Sequence, residues 1–233
     1  MREAVIHIDK GPEPRGLVEH RASPDSTYAD FRSSKQLRAA LLREQGSLCA
    51  YCMQRIRDVP GGMKVEHWYP QSLPAAPRAG VIAPVAARGP LDYGNLLGVC
   101  AGGEGQPRAQ QHCDTHKGNR LITIDPLDHP ERLLSYRIDG SIHATMDEMQ
   151  SELDDVLNLN VDKLRHNRKS AWDGVYAVLK QGGASAFRPR ALRKQLDRLL
   201  ARDSGGRRRE YCGFVAFFLD KKLRRSEATR SGG

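Results

Sequence analysis

Four cysteines place the tightest constraint on how this chain can fold: Cys49-Ala-Tyr-Cys52, then Cys100, then Cys113, with a fifth, Cys212, alone far downstream. The run Met1-Arg-Glu-Ala-Val-Ile-His-Ile-Asp9 carries charges where a secretory leader would be apolar. No apolar run approaches the roughly 18 residues a membrane span needs. The chain is therefore expected in the cytoplasm and off the membrane, where thiols stay reduced and disulfides are rare. Four cysteines on turns then read as a tetrahedral zinc site, whose assembly contributes folding energy directly. Twelve residues separate Cys100 from Cys113 instead of the usual two, so the glycine-rich stretch between them has to loop out. Two alternatives stay open: Cys100 and Cys113 as buried free thiols, or His112 replacing a cysteine that cannot reach. No thioredoxin-like βαβ pattern surrounds Cys49-Ala-Tyr-Cys52, which argues against a redox pair.

The motifs divide the chain into three expected parts. Residues 1–45 hold a short alternating stretch, Val5–Ile8, and one helix. That helix opens on the capping-box pattern Ser33-Ser-Lys-Gln36, continues through Leu37, Leu41 and Leu42, and stops at Gly46. Residues 46–125 form the cysteine-bearing core, in which Gln71–Pro90 reads as a loop and Leu121–Ile124 as a strand. Residues 126–233 begin with a hairpin around Asp139-Gly140, a type I′ signal. They continue as helices with apolar faces: Met146, Met149, Leu153, Val156 and Leu157; Leu192, Leu196, Leu199 and Leu200; Phe214, Val215, Phe218 and Leu219. The small polar tail from about Ser226 is expected to fray. The fold class is α+β. Aromatics make up only 6% of the chain, which predicts several small cores, and Lys plus Arg exceed Asp plus Glu by 37 to 28. A charge of +9 suits a polyanionic partner such as nucleic acid, and equally a merely soluble surface.

Between the cysteines stand Glu66-His67, Asn95 and Cys113-Asp-Thr-His-Lys117. Hydrolysis of a phosphodiester needs a base to take a proton from water and a cation to neutralise the charge that builds on phosphate. A neutral histidine fits the first task, and Mg²⁺ or Mn²⁺ on one or two carboxylates fits the second. Glu66 and His67 are adjacent, so strand alternation sends them to opposite faces unless a bend, aided by Pro70, unites them. Asp114 supplies a second carboxylate. Trp68 and Tyr69 could stack on bases or support the site. Arg207-Arg-Arg209 and Arg224-Arg225 could meet phosphates or remain solvated.

The ordered set resembles the HNH nucleases of the ββα-metal fold. The resemblance implies a zinc-stapled ββα-metal core with an N-terminal helix and a mainly helical C-terminal region. It makes His67 the general base, Glu66 a ligand of the catalytic metal, and Asn95 the residue that holds the base-bearing loop. Asp114 takes the last metal position, with His116 the alternative two residues on, and Lys117 matches the lysine of the closing helix. The family more often has Asp where this chain has Glu66, and His or Asn where it has Asp114. A longer resemblance runs through Gly11-Pro-Glu-Pro14, Glu66-His-Trp-Tyr-Pro-Gln71, Leu91-Asp-Tyr-Gly-Asn95, His112–Gly118, Leu157-Asn-Leu-Asn160 and Asn167-Arg168. These are similar to PtuB-type nucleases of Septu and some retron anti-phage systems. That likeness implies an ABC-type ATPase partner and cleavage of nucleic acid, DNA before RNA. Two other classes stay open: a zinc-stabilised nucleic-acid-binding module without catalysis, which would not need Glu66, His67 and Asp114 together, and an assembly subunit docking through its helices.

Overall fold

The computed structural model describes residues 7–32, 34–72 and 88–231. Val5, Ile6, Ser33 and most of the 71–90 loop lie outside them, so the edge strand and the capping box fall there too. Helix α1 spans Arg15–Arg21 and α2 Ser34–Glu44. Leu37 and Leu41 of α2 point inward at 0% exposure, and the chain turns away just after α2 at Gly46, whose φ of +60° a residue with a Cβ adopts only with strain. Strands β1 (Lys64–His67) and β2 (Leu96–Val99) pair antiparallel, with Glu66 opposite Leu97, and the short α3 (Cys113–Lys117) follows. Gln45 locks α2 to β2: its side chain accepts from the Gly98 amide at 2.7 Å and donates to the Gly98 carbonyl at 2.7 Å.

Leu121–Ile124 is not a strand. The amides of Thr123 and Ile124 donate to the Glu152 carboxylate, at 2.8 and 3.1 Å, which gives them partners without a neighbouring strand. The hairpin does form, as β3 (Leu134–Tyr136) and β4 (Ile142–Ala144). Its turn is not type I′, however. Asp139 keeps a negative φ and Gly140 alone is left-handed at +89°, while Arg137 bonds Ser141 across a three-residue loop. The Asp139 carboxylate accepts from the Ser141 hydroxyl and amide, and this rewards the negative φ.

Helix α4 (Asp147–Ser151) runs on into a π-helical turn, Glu152–Val156. After it come α5 (Asp162–Gln181), α6 (Gly183–Ala186), α7 (Pro189–Leu200) and α8 (Cys212–Ser231). Helix α8 therefore continues through the tail expected to fray. Buried residues from Ile8 to Leu223 join one apolar cluster, where composition predicts several. The few aromatics are concentrated: Trp172 and Tyr136 each pack against the Phe214–Phe218 stretch of α8, so sparse rings still knit the C-terminal helices together. Among the described residues no helix is long and apolar enough to cross a membrane.

Candidate metal centre and active site

The four cysteines converge. Their sulfurs lie within 4.8 Å of one another, all buried, with Cys49 to Cys113 at 3.9 Å and Cys52 to Cys100 at 3.7 Å. Zinc–sulfur bonds of ~2.3 Å in a tetrahedron place sulfurs about 3.8 Å apart, so the spacing fits that ion. Local geometry explains the convergence. The Cys49 amide donates to Gln54, and Met53, at φ +62°, donates back to Cys49, which makes a tight turn presenting two sulfurs. The long insert closes on itself. The His112 amide donates to the Gly102 carbonyl at 2.8 Å, and a Cβ at Gly102 would lie 2.2 Å from the His112 carbonyl oxygen. Only glycine allows that approach, and it returns Cys113 to Cys100. His112 is not needed as a replacement: its Nδ1 lies 3.2 Å from the Cys113 sulfur, beside the ligands. S–H donors from Cys113, Cys49 and Cys52 hold the Cys100 thiol far below its ordinary range, while burial pushes Cys52 and Cys113 up. A cluster that charges one sulfur at the expense of its neighbours is suited to a cation.

One residue near this cluster gave no sequence signal of its role. Arg168 of α5 is 2% exposed and has no carboxylate partner among the described residues. It donates to the carbonyls of Gly140 and Leu159, each at 2.6 Å. Burial lowers its pKa.

Next to the cysteines, β1 and α3 bring Glu66 and Asp114 together. Lys117, 1% exposed, sits 2.7 Å from Glu66 Oε1, and the Tyr51 hydroxyl donates to the same oxygen at 3.0 Å. Burial lifts the Glu66 carboxyl to about 8, a hydrogen bond shared with Asp114 adds to the rise, and Lys117 opposes it. Asp114 and Lys117 are three residues apart and share a helix face, as that spacing requires. His116 does not join them: its Nδ1 lies 2.9 Å from the Val156 carbonyl.

His67 ends β1, buried like Glu66 before it, with ring contacts of its own. Its Nε2 lies 3.0 Å from the Pro90 carbonyl, so that nitrogen carries the proton and donates. Nδ1 is then the acceptor, facing the Gln71 amide nitrogen at 3.2 Å, with Tyr28 edge-on at 4.4 Å. Burial lowers the His67 pKa and favours the neutral ring, while Asp114 acts weakly in the other direction. Asn95, 0% exposed, ties the flanking segments together. Its Oδ1 accepts from the Tyr69 amide at 2.7 Å, and its Nδ2 donates to Tyr69 and Gly89 carbonyls at 3.0 and 3.1 Å. Trp68 is buried at 3%, donates to the Ile124 carbonyl and lies under Arg88, so it supports the site and is not free to stack on a base.

Tyr51, Gln71, Pro90 and Tyr28 are the parts of this site that sequence reasoning left without a role. Tyr51, framed by Cys49 and Cys52, and Gln71, which closes the Glu66–Gln71 run, stood within motifs that could have drawn attention to them. No protein-family model and no curated protein matches this chain.

Proposed function

We propose that the chain is a metal-dependent HNH endonuclease of the ββα-metal type, hydrolysing phosphodiester bonds. One observation carries this reading: a neutral, oriented histidine, His67, ends the strand whose Glu66 meets Asp114 from a short helix, beside a buried tetracysteine cluster. His67 Nδ1 would take the proton of the attacking water once that water displaces the Gln71 amide now facing it, since Nε2 is committed to the Pro90 carbonyl. Asn95 acts as a positioning residue, holding the 88–89 backbone that leads into Pro90. Glu66 and Asp114 would hold Mg²⁺ or Mn²⁺, which supplies positive charge to the phosphate as the bond breaks. The two carboxylates sharing a proton fit such an ion, because a divalent cation can take the proton's place between them. Lys117 stands at Glu66 as a fixed cation beside them. The resemblance to PtuB-type nucleases extends the proposal to anti-phage defence with an ABC-type ATPase.

A second reading, a zinc-stabilised binding module without catalysis, is favoured by the burial of the Glu66–Lys117 pair at 5% and 1% exposure. Cleavage assays separate the two. The purified protein, alone and with an ABC-type ATPase of the kind the resemblance implies, is incubated with plasmid DNA and with total RNA plus Mg²⁺ or Mn²⁺. Wild type should cut. His67→Ala should lose a factor of about 10² to 10⁴ in rate while keeping zinc and nucleic-acid binding. Asp114→Ala should be slowed and partly rescued by extra metal, and His116→Ala should remain active. Undiminished cutting by His67→Ala ends the nuclease reading.

A further inference from the structure

The charge of this chain is concentrated in one segment. Residues 188–230 contain fourteen Lys and Arg against five Asp and Glu, a net +9 that equals the formal charge of the whole sequence. The remainder, metal centre included, is neutral overall. Helix α7 sorts its residues by face. Leu192, Leu196 and Leu199 are 0–3% exposed, while Arg190, Arg193, Lys194 and Arg198 face solvent. Those four line an open groove of about 810 Å³ together with two acidic residues, Asp197 of the same helix and Glu227 of α8. Arg193 is ion-paired with Glu227; Arg190, Lys194 and Arg198 have no ion-pair partner among the described residues. Residues four apart on a helix are about 6 Å apart along its axis, so these three make a regular row of exposed cations. A phosphodiester backbone, charged at every nucleotide, can follow such a row, and arginine's fork matches phosphate oxygens. The scaffold holds the row in place. The Tyr211 amide donates to Met53 at 3.2 Å, the Arg208 amide to Gly46 at 2.9 Å, and the Arg55 amide to Glu210 at 2.8 Å, which ties the α7–α8 connection to the cysteine turn.

We propose that the α7–α8 groove is a nucleic-acid site separate from the Glu66–His67–Asp114 site, gripping the phosphodiester backbone without reading bases. Calling the bound strand a substrate rests on the nuclease reading, whereas the grip itself does not. The test uses the full chain carrying His67→Ala, with no divalent metal added. Binding of a short DNA duplex and of a single-stranded RNA is followed against salt concentration. Adding R190Q, K194Q and R198Q together should weaken binding and flatten the plot of log affinity against log salt. If each side chain meets one phosphate, the slope falls by about 2.7 for the duplex or about 2.1 for the single strand. Whichever probe shows its full fall identifies the nucleic acid the groove accommodates. The same number of charges removed elsewhere, by R32Q, R57Q and K163Q, should leave the slope unchanged. An unaltered slope in the groove variant overturns the proposal. So does a variant that loses binding only to polyglutamate, which would assign the groove to an acidic protein. Cleavage by the protein with His67 intact keeps the two ideas apart: cutting with an unaltered slope removes the groove alone, and a flattened slope without cutting removes the nuclease alone.

Discussion

Asn95→Asp is the sharpest perturbation of the site, because it changes one atom and hardly alters shape. The substitution keeps an oxygen for the Tyr69 amide, which Asn95 Oδ1 accepts from at 2.7 Å. It removes the Nδ2 group that donates to the carbonyls of Tyr69, Gly89 and, at 3.4 Å, Arg88. At least two part-buried carbonyls lose their donor, at roughly 1–3 kcal/mol each. The new carboxylate also faces those carbonyls at a position with 0% exposure. A loss of about 3–5 kcal/mol follows, a large share of the roughly 5–15 kcal/mol typical of a domain. Protonating the new carboxyl restores one donor, so its folded pKa is raised above the unfolded value. Its contribution is therefore intact at acidic pH and lost as pH rises, and the deficit should be larger at neutral than at acidic pH. Urea denaturation at fixed zinc, in both pH ranges, measures this. Under the nuclease reading kcat should fall with little change in KM, because the segment leading into Pro90 loses its anchor while phosphate contacts persist. A deficit below about 1 kcal/mol at neutral pH would refute the assignment of Asn95 as the tie between the two segments.

Zinc should co-purify at one equivalent, and Cys49→Ser or Cys113→Ser should lose it together with solubility, because metal binding is part of folding; metal analysis of a folded, zinc-free wild type would remove the site. Stability at alkaline pH should carry the signature of Lys10, which donates to the Leu96 carbonyl and lies 3.6 Å from Glu44. Burial lowers its pKa from 10.5 to about 8, with Glu44 opposing, so above that point the unfolded chain binds more protons than the folded one. Stability from this group therefore rises with pH between those values, by about 2 kcal/mol from pH 8 to about 9.5. Parallel denaturation curves for wild type and Lys10→Gln across that range would show the idea to be wrong.

The sequence was most legible where chemistry forces a residue type. Four sulfurs can be inferred from spacing because a zinc site dictates the ligands and tolerates any loop between them, and the Gly102–His112 closure shows one way such a loop returns. The motifs also named Glu66 and Asp114, and the structure brings those two carboxylates together. Partners that act through backbone atoms are not legible: the Pro90 carbonyl that sets the His67 tautomer could come from any residue, and nothing in the amino-acid code marks it. Leu121–Ile124 failed differently. Its alternation is real, with Ile122 and Ile124 at 2% and 5% exposure, but the amides go to a carboxylate 28 residues downstream, and local pattern carries no information about that. Asp139-Gly140 marks a turn correctly yet underdetermines its type, because the Asp139 carboxylate bonds Ser141 and so rewards the negative φ that type I′ forbids. The alternative that sequence left open between Asp114 and His116 turns on 100° per residue of helical rotation. Position 117 must face Glu66 for its ammonium to find an acceptor at 1% exposure, so 114 turns with it and 116 is carried round to Val156. A buried lysine therefore fixes the phase of a five-residue helix, and with it which side chain can reach the carboxylate of β1.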